Sequence, residues 1–307
     1  MWKFKRSVSF LVVCIAVLAV ISCLAGLFSN GGGGLHEFLS INGETVQLYG
    51  IGLYQNDSVS VASQGIASDF VTLILGIPVL FISLYFANKN SFRARILLTG
   101  TLGYFLYTYM SYVFLWMYNR FFIIYVILMS LSLYAFVLSM LSFDIEKIGR
   151  HFKQKLPVRL LGGFQIFIAC AICMLWLGKI APSVFEGAVP VGLEHYTTLV
   201  IQGMDLGFVV PAAFLSRILL LRRRPFGYLL SSVIIVKGIT MLTAISAMII
   251  NMALHNVTMN PVEMIVFPVF NLLAIMSLVL LMKNIEGKKD GRLGSNNRIG
   301  THSDKLI

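Results

Sequence analysis

The chain has 307 residues, 58% of them hydrophobic and 12% charged, with a mean hydropathy of +0.85. Soluble domains carry charge on about a quarter of their positions, so a water-soluble globule is excluded. Lys and Arg number 24 against 13 Asp and Glu, a net charge of +11, and the placement of those cations along the chain decides what the excess means.

Eight stretches approach the roughly 20 apolar residues that a helix needs to cross a bilayer: 8–28, 66–87, 96–117, 121–142, 159–179, 199–221, 227–250 and 263–282. The fold expected is an all-α polytopic membrane protein with eight transmembrane helices. If the N-terminus is cytoplasmic, 21 of the 24 cations fall on one side, leaving Arg120 and Lys179 opposite and Lys237 within a span. This is a nearly saturated positive-inside pattern, and it places both termini in the cytoplasm of a bacterial inner or plasma membrane. It also gives the basic excess a role against anionic lipid, so the bilayer is the expected partner and nucleic acid is not. Trp2, Trp116 and Trp176 fall at span ends, at headgroup level.

Met1–Arg6 followed by an apolar run ending in Val20-Ile21-Ser22-Cys23 loosely fits a cleaved lipoprotein leader. Continuation through Leu24–Phe28 brings the run to spanning length, which favours a retained helix. Segment 29–65 opens on four glycines, Gly31–Gly34, and its runs Glu44–Tyr49 and Leu53–Val59 suggest a small hairpin. The 180–198 loop is the second large connection on that side, and the tail 288–307 has the composition of a disordered segment.

Order and motif repeat within the chain. Gln64-Gly65, Asp69 and Pro78 precede a basic turn and the next helix; Gln202-Gly203, Asp205 and Pro211 do the same. Residues 1–287 form one membrane domain whose halves, roughly 1–143 and 144–287, read as two parallel four-helix repeats about an axis along the membrane normal.

Within the spans the ionisable candidates are Asp69, Asp205 and Lys237. Charge in a bilayer is costly unless paired or wetted, which makes each a site candidate. Helical rise puts Asp69 about 12 Å and Asp205 about 7 Å outside the midplane, so both could flank one outward cavity. Lys237, near the midplane, is within snorkelling reach of Asp205 for an ion pair, with ligand binding the competing role. Gln64, Gln202, Asn271, Tyr104 and Tyr107 supply donors and acceptors around it. Pro78, Pro211 and Pro268 lie mid-span, where each frees a carbonyl and marks a kink or hinge. Gly203 and Gly207 have the spacing that lets helices approach closely.

No His lies in a span core, and zincin, nucleophile-elbow and Walker A motifs are missing. No cofactor or metal is therefore expected, and no common catalytic motif speaks for an enzyme. The function expected is a transporter or permease-like protein with a polar cavity for a cation, a proton-coupled solute or a zwitterion. A sensor or assembly partner acting through loops 29–65 and 180–198 is the alternative. A thiol oxidoreductase using the C-x-x-C pair Cys170 and Cys173 is the third, weakened by the apolar surroundings of both thiols.

Overall fold

The computed structural model describes residues 2–259 and 261–286. Among these are eight long helices: α1 (Lys5–Phe28), α2 (Val59–Asn88), α3 (Phe92–Phe114), α4 (Phe122–Leu141), α5 (Val158–Glu186), α6 (Val200–Leu221), α7 (Pro225–Leu254) and α8 (Pro261–Lys283). Seven of them are long and apolar enough to cross a membrane. The exception, α3, has 23 residues but is diluted by Thr99, Thr101, Thr108, Ser111 and four tyrosines. Most of these polar groups are buried against neighbouring helices, where hydroxyls can be hydrogen-bonded, so α3 is the least lipid-like helix by composition.

Helix α2 starts seven residues before the apolar run does. Ser58 caps it by accepting from Val61 N–H at 3.2 Å, and its first two turns are polar because they face protein. Outward faces are apolar, with Phe10, Phe28, Phe70, Ile74 and Phe81 exposed, as lipid contact requires.

Two helices share an unusual turn. In α2 the Ile77 N–H reaches back five residues to Thr72 O, and in α6 the Val210 N–H reaches Asp205 O. A proline follows each wide turn by one residue, Pro78 and Pro211. Proline cannot donate and its ring crowds the carbonyl four residues back, so the widened turn accommodates it. Pro268 lies inside α8 without such a turn.

The first four helices close into a square in which α1 and α3 each pack on α2 and α4. Its centre is filled by fully buried Tyr54, Tyr104, Tyr109 and Tyr125 with Phe105, Leu98 and Leu102. The last four follow the same order, α5 on α6, α6 on α7 and α7 on α8, with α8 meeting α5 along a short seam. Here the apolar core is split into small clusters around Ala169, Val210 and Ala213 and around Leu242, Phe270 and Ala274. The first group is packed and the second is hollow. Helix α7 joins them by packing on α2 and α3, where Gly100 lies against Val236.

A hairpin pairs β1 (His36–Leu39) with β2 (Thr45–Leu48). The expected run Glu44–Tyr49 supplies β2, but Leu53–Val59 does not supply its partner. Leu53 and Tyr54 are buried in a short turn that leads into α2, and the strand comes instead from His36–Leu39. The close-packing role expected of Gly203 and Gly207 is corrected as well. Nothing lies within 4 Å of a Cβ placed at either, whereas one at Gly26 would collide with the Asp69 carboxylate. The tail 288–307 lies outside the described residues.

Candidate functional site

The two mid-helix aspartates occupy opposite kinds of surroundings. Asp69 is 2% exposed and sits in the packed group. Tyr54 donates to its Oδ2 at 2.6 Å and Tyr112 to its Oδ1 at 2.9 Å, and the Cys23 thiol adjoins it. Tyr104 is also internal, sharing a hydrogen bond of 2.8 Å with Thr72. This cluster is sealed by Gly26 on α1 and by ring packing of Tyr112 on Trp116 and Tyr125. It reads as a satisfied polar core.

Asp205 lies in the hollow group, on the wall of a cavity of about 520 Å³. Tyr107 donates to Asp205 Oδ1 at 2.7 Å and the Trp176 indole to Oδ2 at 2.9 Å. Lys237 also lines the cavity, its Nζ 3.9 Å from the centroid of the Tyr107 ring, and no acceptor for its three N–H groups occurs among the described residues. Gln64 and Gln202 line the same space near its hairpin end. Toward the basic end its floor is a network in which Ser216 donates to Gln165 Oε1 at 2.8 Å and Gln165 Nε2 donates to Ser231 O at 3.1 Å. Ile168, Ile172, Met241 and Phe270 make the remaining walls apolar.

The single outward cavity holding both aspartates is thus corrected. Asp205, Lys237, Tyr107, Gln64 and Gln202 line one cavity, whereas Asp69 and Tyr104 do not. The physical reason is the tyrosine-filled core of the first group, which leaves Asp69 no open space. Asn271 is outside the lining too; it accepts from Thr243 at 3.3 Å and ties α7 to α8. Nor do Asp205 and Lys237 form an ion pair: both meet Tyr107, Asp205 at its hydroxyl and Lys237 over the face of its ring. Among the described residues Lys147–Asp144 makes an ion pair and no group of three metal-ligating side chains gathers. Cys170 is exposed, Cys173 half-buried, and both are free.

The cavity is covered by the loop between α5 and α6, which contributes Gly192, Glu194 and Tyr196. This loop is pinned to the segment before α2. His195 Nε2 lies 3.0 Å from Asn56 O, and Tyr196 donates to Asp57 Oδ1 at 3.0 Å, an oxygen that also accepts from Met117 N–H at 2.9 Å. Asp57 is 1% exposed and its second oxygen is unpartnered among the described residues. Burial pushes its carboxyl up to about 7, and burial raises Glu194 as well.

Sequence reasoning missed Tyr54, Trp176, Gln165 and Asp57. Trp176 reads as an interface anchor, and only its distance to Asp205 gives it a second role. No family model, curated relative or solved structure matches this chain.

Proposed function

We propose that the protein is a permease-like membrane protein whose hollow half takes up a small zwitterion with an apolar body. The observation that carries the reading is that Asp205 and Lys237 face one cavity with their charges unjoined. A zwitterion supplies an ammonium to the carboxylate, whose oxygens retain lone pairs beyond those used by Tyr107 and Trp176. It supplies a carboxylate to the lysine, and its body fills the space beside Ile168, Ile172 and Phe270. The 520 Å³ volume suits a molecule of this size. The wide turn at Asp205, next to Pro211, provides a place for α6 to bend as the cavity opens.

In this reading α3 completes eight spans, and the two groups are parallel repeats of which the first has become a solid frame. The basic end is then the cytoplasmic face of a bacterial inner or plasma membrane, an orientation that the cation bias supports. A thermal-shift panel on the purified protein tests it, comparing an apolar amino acid with the matching amine and the matching carboxylic acid. The zwitterion should raise the midpoint most, because a ligand bound only to the folded form stabilises it. No shift with any of the three would sink the reading.

A second reading has its own support. The hairpin end exposes Leu35, Phe38, Leu39 and Ile41, with Ile41 at 88% exposure. Such a row suits an assembly partner in the same membrane. Co-purification of one partner that is lost on changing Leu39 and Ile41 to Ser would favour this role over uptake.

A further inference from the structure

A second cavity, of about 470 Å³, lies at the basic end and is separate from the solute site. Trp2, Arg95, Phe143, Asp144, Lys147 and His151 are among its lining residues. The Arg95 guanidinium is held by aromatic walls, 4.4 Å from the Phe143 ring centroid and 5.9 Å from that of Trp2. One edge is used, since Nη2 donates to Ser142 O at 2.8 Å and to Ser142 Oγ at 3.0 Å. Nε is buried without a partner, and Nη1 has no acceptor among the described residues. Among the described residues no carboxylate pairs with it; Asp144, the acidic member of the lining, is engaged by Lys147 at 2.7 Å and is 54% exposed. His151 stacks on Phe92 with centroids 4.0 Å apart, and its imidazole is held below the ordinary value by burial and by the Arg95 charge.

Trp2 gives an independent observation. It is 6% exposed, and its buried Nε1 has no partner among the described residues. An unpaired guanidinium and an orphaned indole N–H at one cavity each carry an unrecovered desolvation cost. One group answers both: a tetrahedral anion, whose several acceptor oxygens can take a charge-assisted bond from the Nη1 edge that Ser142 leaves free and a second bond from the indole N–H.

We propose that this basic-end cavity binds a phosphate group, presented by an anionic phospholipid headgroup or by a soluble phosphate compound. Arg95 is its charge partner, Trp2 its neutral donor and Lys147 a second cation at the rim. The cavity lies where α1 begins, α2 passes into α3 and α4 ends, the level at which lipid headgroups meet a membrane helix.

The test uses the full chain purified in a neutral detergent, probed with short-chain phosphatidylglycerol, short-chain phosphatidylcholine and inorganic phosphate. Retained lipid is counted by native mass spectrometry and the thermal midpoint is followed. A midpoint rise with phosphatidylglycerol alone assigns a lipid source; an equal rise with inorganic phosphate assigns a soluble one. Arg95→Gln should weaken the apparent affinity at least about tenfold, and Trp2→Phe, which keeps the ring, about three- to tenfold. Lys155→Gln removes the same unit of charge from an exposed residue outside the lining and should leave affinity nearly unchanged. Should Arg95→Gln fail to fold, Trp2→Phe against Lys155→Gln still decides. Equal losses in Trp2→Phe and Lys155→Gln, no loss in Trp2→Phe, or no response to any probe overturns the proposal.

Discussion

The Lys237 ammonium lies 3.9 Å from the centre of the Tyr107 ring and not against a carboxylate. The same tyrosine donates its hydroxyl to Asp205 at 2.7 Å, so the two charges share one aromatic neighbour without touching each other. A direct buried pair would lose about 3 to 5 kcal/mol when one partner is removed. Here Lys237→Met and Asp205→Asn should each cost less than that, and because both touch Tyr107 a double-mutant cycle should give a coupling of about 0.5 to 1.5 kcal/mol, short of a direct pair. Chemical denaturation of the four proteins measures it; a coupling of about 3 kcal/mol would mean a direct pair.

Asp69 behaves oppositely, because the packed group leaves it neither water nor room. Asp69→Asn puts an amide where two tyrosine hydroxyls donate and should cost about 1 to 3 kcal/mol. Gly26→Ala should cost at least as much, since its Cβ would overlap the Asp69 carboxylate. Gly203→Ala meets nothing within 4 Å and should stay within about 0.5 kcal/mol of the parent. Thermal midpoints rank the three, and a Gly203→Ala loss equal to that of Gly26→Ala would contradict the packing described.

The loop cover should respond to pH through Asp57. Its folded value, about 7, lies above the roughly 3.9 of an unfolded aspartate. The folded state therefore binds the proton more tightly, and stability falls as pH rises from about 4 through 7. Glu194, raised by burial, adds a change of the same sign, while Tyr196 and the Met117 N–H are the groups that hold Asp57. Asp57→Asn keeps an acceptor for both donors and should flatten the dependence of the thermal midpoint on pH. An unchanged slope in that variant would remove Asp57 from the account.

The C-x-x-C pair is open to a simple check. Replacing Cys170 and Cys173 together by Ala removes one exposed and one half-buried thiol and should cost less than about 1 kcal/mol. Cys23→Ala, in the sealed Asp69 cluster, should cost more, about 1 to 3 kcal/mol. A quinone-linked activity lost from a folded double mutant would instead support redox chemistry.

Much of the fold was legible because the bilayer demands length and apolarity, and those are countable in the sequence. The span boundaries that drifted did so for a reason: the start of α2 is polar because it packs on protein, and hydropathy does not register helix without lipid contact. Asp69 and Asp205 carry the same local signal, a carboxylate a few turns from proline, yet one is core and the other lines a cavity. That difference lies in long-range packing, in whether Tyr104, Tyr109 and Tyr125 fill the space between helices. The role of Trp176 was hidden for the same reason, since 29 residues separate it from Asp205.

Binding of an apolar amino acid such as norleucine, measured by titration calorimetry on the parent, Asp205→Asn and Lys237→Met, decides whether the cavity takes a zwitterion. The zwitterion should bind the parent and lose about tenfold or more in affinity, some 1.4 kcal/mol, in each variant. The matching amine should be weakened by Asp205→Asn alone, and the matching carboxylic acid by Lys237→Met alone. Norleucine binding that is absent from the parent, or indifferent to both substitutions, would contradict the zwitterion site.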